Sequence, residues 1–321
     1  MVALRLVLGL GLVALVVWLR GGAGALWHEL TAAGLPGILA VSTFHAIPMT
    51  TCGLAWSSLL GKARPGARAG FVLARWVRDG VNQLLPFVPL GGEVAGARIV
   101  AARGGISGPT AAAFTVVDIT AELMSQAVFS VLGIGLWLVN RPAGLLLGPA
   151  GIGVALCLPM LAGLLLAQKL GMVRLLERLA DRVMPEAWRN QREAAPIHDT
   201  MVAIYAERRR FTIATSIHLG AWVVACGEAW LALRLLGHPL RFTEVVAMES
   251  VIYAVRNAAF LVPGALGVQE GAYVLVGAAL GLPADTALAL SLIKRGRELL
   301  MGVPALVTWQ VLGRGPARTA G

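Results

Sequence analysis

The stretch Phe260-Leu-Val-Pro-Gly-Ala-Leu-Gly-Val-Gln-Glu-Gly271 sets the tightest limit on what this chain can fold into. It lies in a strongly apolar region, yet Pro263, Gly264, Gly267 and Gly271 interrupt any helix there, and Glu270 adds a charge. A broken helix frees backbone N–H and C=O groups that hydrocarbon cannot satisfy. Such a break is tolerated at membrane depth only where protein or a polar cavity covers it. Pro263 ends one helix and Gly267 lets the next begin, leaving Glu270 near a helix N-terminus, where a carboxylate is favoured. Leu84-Leu-Pro-Phe-Val-Pro-Leu-Gly-Gly-Glu93 has the same grammar, with Pro86 and Pro89 followed by Gly91, Gly92 and Glu93. Two broken segments in matching places of two halves point to a transporter-type binding site. Their tips are Pro89, Gly91 and Gly92 in one, and Pro263, Gly264 and Gly267 in the other.

Composition fixes the surroundings. Hydrophobic residues make up 57% of the 321 and charged ones 14%, with a mean hydropathy of +0.76. Soluble domains carry about a quarter charged residues, so this reads as an all-α integral membrane protein forming one bundle (1–321). The net charge of +10 gathers in a few loops, which is the pattern of a cytoplasmic membrane face rather than of nucleic-acid binding. Cys52, Cys157 and Cys226 fall in apolar spans without CxxC spacing, so neither disulfides nor zinc is expected.

Along the chain, Val2–Leu19 is a first span; Ala23-Gly-Ala25 resembles a cleavage site, which keeps a signal peptide as the alternative. Gly34–Leu60 crosses next. Ala67–Val88 and Gly92–Ala102 are interrupted by charge, and the second is too short for a core about 30 Å thick. Together they read as a re-entrant hairpin. Thr110–Val139 crosses with Asp118 and Glu122 inside it, and Leu145–Gln168 crosses back. Lys169–Arg210 is the one long polar stretch, with an amphipathic helix over Met172–Met184 expected to lie on the cytoplasmic surface. Phe211–Leu236 crosses, Arg241–Val262 with Gly267–Leu280 forms a second broken hairpin, and Pro283–Leu312 crosses last.

The halves, 1–140 and 141–321, read as a duplication. Ser42-Thr-Phe-His45 matches Thr215-Ser-Ile-His218, and Cys52-Gly-Leu-Ala-Trp56 matches Cys226-Gly-Glu-Ala-Trp230. Val77-Arg-Asp79 matches Val255-Arg-Asn257, Glu93 matches Glu270, and Glu122 matches Glu298, at offsets of 173 to 178. Lys62, Arg64, Arg68 and Arg103 flank the first hairpin, whereas Arg241 alone opens the second. The positive-inside rule then has the first hairpin enter from the cytoplasm and the second from outside. Three transmembrane helices plus a hairpin per half make the repeat inverted.

The candidate binding residues are the charges inside these spans: Arg78, Glu93, Asp118 and Glu122 in one half, and Arg256, Glu270, Lys294 and Glu298 in the other. Intramembrane charges are costly and face a bundle interior or a wet cavity. Two compatible readings stand for them. They are ion pairs holding the bundle together (Arg78 with Glu93 or Glu122, Arg256 with Glu270 or Glu298), or they line a lipid-headgroup path in which an acid takes up a proton. Lys294 and Arg297 can neutralise Glu298 along one helix. His45 and His218 read as hydrogen-bonded packing residues, and Trp56 and Trp230 as interface anchors. No Walker-type loop, HExxH, GxSxG or metal-spaced cluster occurs, so neither a catalytic set, a cofactor nor a metal is expected.

The stretches Leu85–Glu93, Val117-Asp-Ile-Thr-Ala-Glu122, Val262–Glu270 and Ser291-Leu-Ile-Lys-Arg-Gly-Arg-Glu298 resemble the lysylphosphatidylglycerol synthetase transmembrane-region family. Gly91-Gly-Glu-Val-Ala-Gly-Ala-Arg98 and Gly267-Val-Gln-Glu-Gly271 are most similar to its hopanoid-biosynthesis-associated HpnL type. The likeness covers about residues 35 to 312. It implies a multi-pass protein of the bacterial inner membrane that moves or delivers a lipid, hopanoid or related. It also implies lipid-biosynthesis proteins as partners. With no soluble domain after Gly321, lipid movement is expected rather than aminoacyl transfer. A lipid-modifying membrane enzyme and a non-transporting accessory protein remain the alternatives.

Overall fold

The computed structural model describes residues 23–61, 66–85, 90–140, 197–258, 265 and 267–313, with backbone alone for 23–33, 139–140, 257–258 and 313. Every regular element among them is a helix. In chain order they are α1 (Ala23–Leu59), α2 (Ala67–Leu84), α3 (Gly91–Gly104), α4 (Gly108–Asn140), α5 (Ile197–Ala206), α6 (Arg208–Leu235), α7 (Phe242–Ala258), α8 (Val268–Ala279) and α9 (Ala284–Gly313). Three described segments, Gly34–Leu59, Gly108–Leu138 and Arg208–Leu235, are long and apolar enough to cross a membrane. The protein is an all-helical membrane protein. The expected spans Val2–Leu19 and Leu145–Gln168 and the amphipathic helix over Met172–Met184 lie outside the described residues. So do the tip residues Pro89, Pro263 and Gly264.

Both expected helix breaks are present, and the second helix of each pair starts alike. Leu90, with φ 59°, precedes α3, and Gly267, with φ 78°, precedes α8. That left-handed turn costs glycine little and leucine more. Glu93 and Glu270 then occupy the same third helical position. Helix α1 also carries a break, at Gly34 (φ 58°, ψ −175°), which separates a short leading piece from the membrane-length part.

Contacts along the helices give their relative directions. Phe44 lies over Gly227, His45 meets Glu228, and Gly61 faces Arg210, so α1 and α6 run antiparallel. Asp118 meets His218 and Ser125 meets Trp222, so α4 and α6 run parallel. Helices α2 and α3 form an antiparallel pair, Gly70 facing Arg103 and Gly96 facing Ala74. Helix α9 lies against α1, α2 and α8.

Two apolar cores follow from this arrangement. One gathers Phe71, Val77 and Val100 of the α2–α3 pair with Trp56 of α1, Val117 of α4 and Ala214 of α6. The other gathers Met248, Ile252 and Tyr273 of the α7–α8 pair with Val41 of α1, Phe129 of α4 and Leu233 of α6. The long helices α1, α4 and α6 each give one end to one core and the opposite end to the other. The two broken pairs are therefore packed at opposite ends of the bundle.

Close approach of α1 and α2 rests on Gly53. A Cβ there would lie 2.6 Å from the Val72 Cα, and backbone cannot step aside as a side chain can. Gly220 faces open space. Gly53→Ala is expected to destabilise the protein by about 1–3 kcal/mol through overpacking. Gly220→Ala, by contrast, should leave thermal unfolding in detergent unchanged or slightly raised, since alanine is the better helix former. Equal melting temperatures for the two variants would contradict this packing.

Candidate functional site

The charges that the apolar pattern isolates are brought together by the helix packing. Arg75, one turn before Asp79 on α2, donates from Nη1 and Nη2 to the two carboxylate oxygens of Glu122 on α4, at 2.8 and 2.7 Å. Its Nε donates to Asp79 at 2.8 Å. Arg78 donates to Asp118 at 2.9 Å and to Glu122 at 2.8 Å. Its Nε, buried and without a hydrogen bond, lies 3.6 Å from Glu93. Asp118 also meets His218 Nε2 of α6 at 2.9 Å and is wholly buried. Paired forks of this kind are the strong form of the guanidinium–carboxylate contact.

Asn82 connects this network to the helix break. It accepts a hydrogen bond from the Gly92 N–H at 3.1 Å and donates to Glu93 at 2.9 Å. Glu270 acts on its own helix start instead, accepting from the Gly267 N–H at 2.7 Å. Each break thus has an orphan N–H met by a side chain, as a helix end inside an apolar bundle requires.

The second network centres on Glu298 of α9. Arg256 of α7 reaches it at 3.3 Å, Arg295 at 3.0 Å and Arg297 at 3.6 Å. Arg295 also donates to Glu270 at 3.1 Å. Arg297 lies 3.4 Å from Glu228 of α6, and Glu228 meets His45 Nδ1 of α1 at 2.6 Å. Beside these, Lys294 donates to Glu249 of α7 at 2.5 Å, and Tyr273 donates to the other oxygen of Glu249 at 2.7 Å. Among the described residues, no group of three or more His, Cys, Asp or Glu is arranged to hold a metal ion.

The sequence-marked residues fall into these clusters with some changes of partner. Arg78 contacts both carboxylates expected of it, and Arg256 contacts Glu298. Glu270 takes Arg295 rather than Arg256. Lys294 faces Glu249 across the helix interface, not Glu298 on its own helix, because Glu298 is already surrounded by three guanidinium groups. Trp56 is fully buried, edge-on to Phe71 at 5.6 Å and beneath Arg78, so it is a core residue rather than an interface anchor. Trp230 lies near the end of α6 with the Arg234 guanidinium 4.0 Å from its ring. Gly91 and Gly92 stand at the start of α3, and Gly92 packs on Asn82 and the Arg78 carbonyl.

Five participants escape the sequence reading: Arg75, Asn82, Glu228, Glu249 and Tyr273. The cost of a charge in an apolar span marks Glu228 and Glu249 as surely as it marks Glu122. Requiring a counterpart in the other half discards them, since Leu54 stands where Glu228 would be matched. Asn82 has no such signal; its role exists only because the chain turns back on it.

A family model described as the lysylphosphatidylglycerol synthase TM region matches residues 2–305 of the chain. No curated protein and no solved structure matches it.

The Lys294–Glu249 pair gives a direct test of compensation. Both side chains are essentially inaccessible. Lys294→Met should strand the Glu249 carboxylate and cost roughly 3–5 kcal/mol, the usual penalty for a lone buried charge. The double variant Lys294→Met/Glu249→Leu should recover most of that loss in thermal unfolding, and a double less stable than the single would contradict the pairing.

Proposed function

The chain belongs to the lysylphosphatidylglycerol synthase TM-region family, and from that premise we propose that it moves a membrane lipid, or delivers one, across the bacterial inner membrane. A hopanoid or a related lipid is the substrate we favour, on the likeness of Gly91–Arg98 and Gly267–Gly271 to the hopanoid-associated type. The paired charges are the headgroup site, and proteins of lipid biosynthesis are the partners that would supply or receive the lipid.

One observation carries this reading. Several network members keep part of their side-chain surface open: Glu93 19%, Arg256 23%, Arg295 17% and Glu122 14%. A purely structural ion pair needs no access, and the Lys294–Glu249 pair has none. Charges left open along an apolar bundle offer donors to a phosphate or hydroxyl and acceptors to a hydroxyl or amine. The Arg256–Glu298 contact, single and 3.3 Å long, is looser than the Arg75–Glu122 fork and is the easier one for a headgroup to part.

The placing of the two broken pairs at opposite ends of α1, α4 and α6 supports an inverted repeat with re-entrant hairpins from the two faces. The matched third-position glutamates support it too. In such an arrangement the tips approach the midplane from both sides, where alternating access is achieved by rocking one half against the other.

Reconstitution into liposomes with labelled lipids tests the proposal. Wild-type protein should speed the crossing of a hopanoid-type or related lipid. Arg256→Gln leaves Glu298 paired with Arg295 and Arg297, so it should keep a near-normal melting temperature while slowing translocation by about tenfold or more, equivalent to about 1.4 kcal/mol at the barrier. A variant that keeps both stability and translocation would make Arg256 structural and remove it from the lipid path.

A further inference from the structure

Tyr253 of α7 is held by three other helices. Its ring meets Trp222 of α6 edge-on at 4.8 Å and Phe129 of α4 at 6.4 Å, and the Lys294 ammonium of α9 stands 5.3 Å from its centre. Trp222 is itself fixed, stacked on Phe129 at 6.1 Å and donating from Nε1 to Ser125. A ring packed in this way is not free to swing its hydroxyl toward a partner. That hydroxyl makes no hydrogen bond with any described residue. The other two tyrosines of the chain donate theirs, Tyr205 to Thr120 at 3.0 Å and Tyr273 to Glu249 at 2.7 Å. Buried phenols ordinarily find such a partner. Tyr253 is only half-buried, and its oxygen keeps some surface open.

The place of this side chain on its helix says what the hydroxyl serves. Glu249, Tyr253 and Arg256 recur at spacings of four and three residues, so they share one face of α7. Lys294 and Glu298 of α9 meet the first and last of them. Tyr253 therefore stands between the sealed Lys294–Glu249 pair and the looser Arg256–Glu298 contact, one helical turn from the latter. We propose that Tyr253 is a specificity-determining residue of the lipid site, its open hydroxyl hydrogen-bonding a neutral hydroxyl group on the substrate. This rests on the transport reading above and narrows its substrate class to a lipid whose polar end bears hydroxyl groups. A phenol both donates and accepts, which matches a hydroxyl in either sense. Charge balance favours a neutral group as well. Among the described residues of the second network, three guanidinium groups (Arg256, Arg295, Arg297) face three carboxylates (Glu228, Glu270, Glu298), and Lys294 faces Glu249. A hydroxyl joins them without adding a buried charge, whereas a phosphate or an amine adds one that needs its own partner.

Tyr253→Phe deletes the hydroxyl and keeps the ring. No hydrogen bond within the described protein is lost, so its melting temperature should match that of wild type. Binding of a radiolabelled polyhydroxylated hopanoid, and of the parent hydrocarbon without hydroxyls, is measured in detergent, where no translocation is needed. Wild type should bind the hydroxylated lipid about tenfold more tightly than Tyr253→Phe does, the scale of one hydrogen bond at a site that otherwise leaves the phenol unpaired. The parent hydrocarbon should bind the two proteins equally. Equal affinity of both proteins for the hydroxylated lipid overturns the proposal, and so does a loss of the same size for both lipids. Wild type that fails to bind the hydroxylated lipid overturns it too. Translocation in liposomes then separates the two readings. Hydroxyl-dependent binding through Tyr253 without any translocation by wild type sinks the transport reading and leaves the binding residue standing. Translocation of the hydroxylated lipid at the same rate by wild type and Tyr253→Phe keeps the transport reading and overturns the role of Tyr253.

Discussion

Burying a carboxylate in an apolar bundle is the constraint on which the rest of this structure depends. Asp118, Glu228, Glu249 and Glu270 are each almost wholly enclosed, and none of them is tolerable there without a cation or a donor at contact distance. The helices are arranged to provide one each time: α2 gives Arg75 and Arg78 to α4, and α9 gives Lys294, Arg295 and Arg297 to α7, α8 and α6. Since these partners sit on different helices, the networks also fix which helices are neighbours. Gly53 then lets the α1 and α2 backbones come close, and Gly227 makes room for the Phe44 ring between α1 and α6.

The breaks pose the same problem for the backbone. Ending a helix inside the bundle exposes N–H groups that only the protein can meet. Glu270 meets the one at Gly267 directly, and Asn82 meets the one at Gly92. Both glutamates stand at the third position of their helices, but one spends an oxygen on its own backbone while the other is free to face Arg78. That difference gives the two helix starts unlike chemistry on a like frame. The second network is also richer in guanidinium groups, with Arg256, Arg295 and Arg297 around one glutamate.

Much of the frame was legible in the residues. Pro/Gly breaks and apolar length place α2 with α3, α7 with α8 and the long helices close to where they stand, because hydrocarbon leaves a chain few alternatives. The pairing of Arg78 with Glu122 and of Arg256 with Glu298 follows from isolated charges in matched positions. What the pattern could not hold is anything set by contact between distant helices. Lys294 is one turn from Glu298 in sequence yet points to Glu249. Histidines in apolar spans look like packing residues, and only the meeting of α1, α6 and α9 puts both a glutamate and an arginine against His45. Trp56 resembled an interface anchor by type, but α2 folds over it.

Helices α1 and α6 hold the account together, since His45 faces the Cys226–Glu228 segment on one side of their crossing and His218 faces α4 on the other. Their antiparallel contact has an apolar core at each end, and each core carries one of the two broken pairs. Single-cysteine variants at the exposed positions Arg68 and Arg241, beside the first and second broken pairs, test this most directly when labelled with a membrane-impermeant maleimide in intact cells and in inverted vesicles. The account predicts that Arg241→Cys is labelled only from outside and Arg68→Cys only in inverted vesicles. Labelling of both from one side would contradict it.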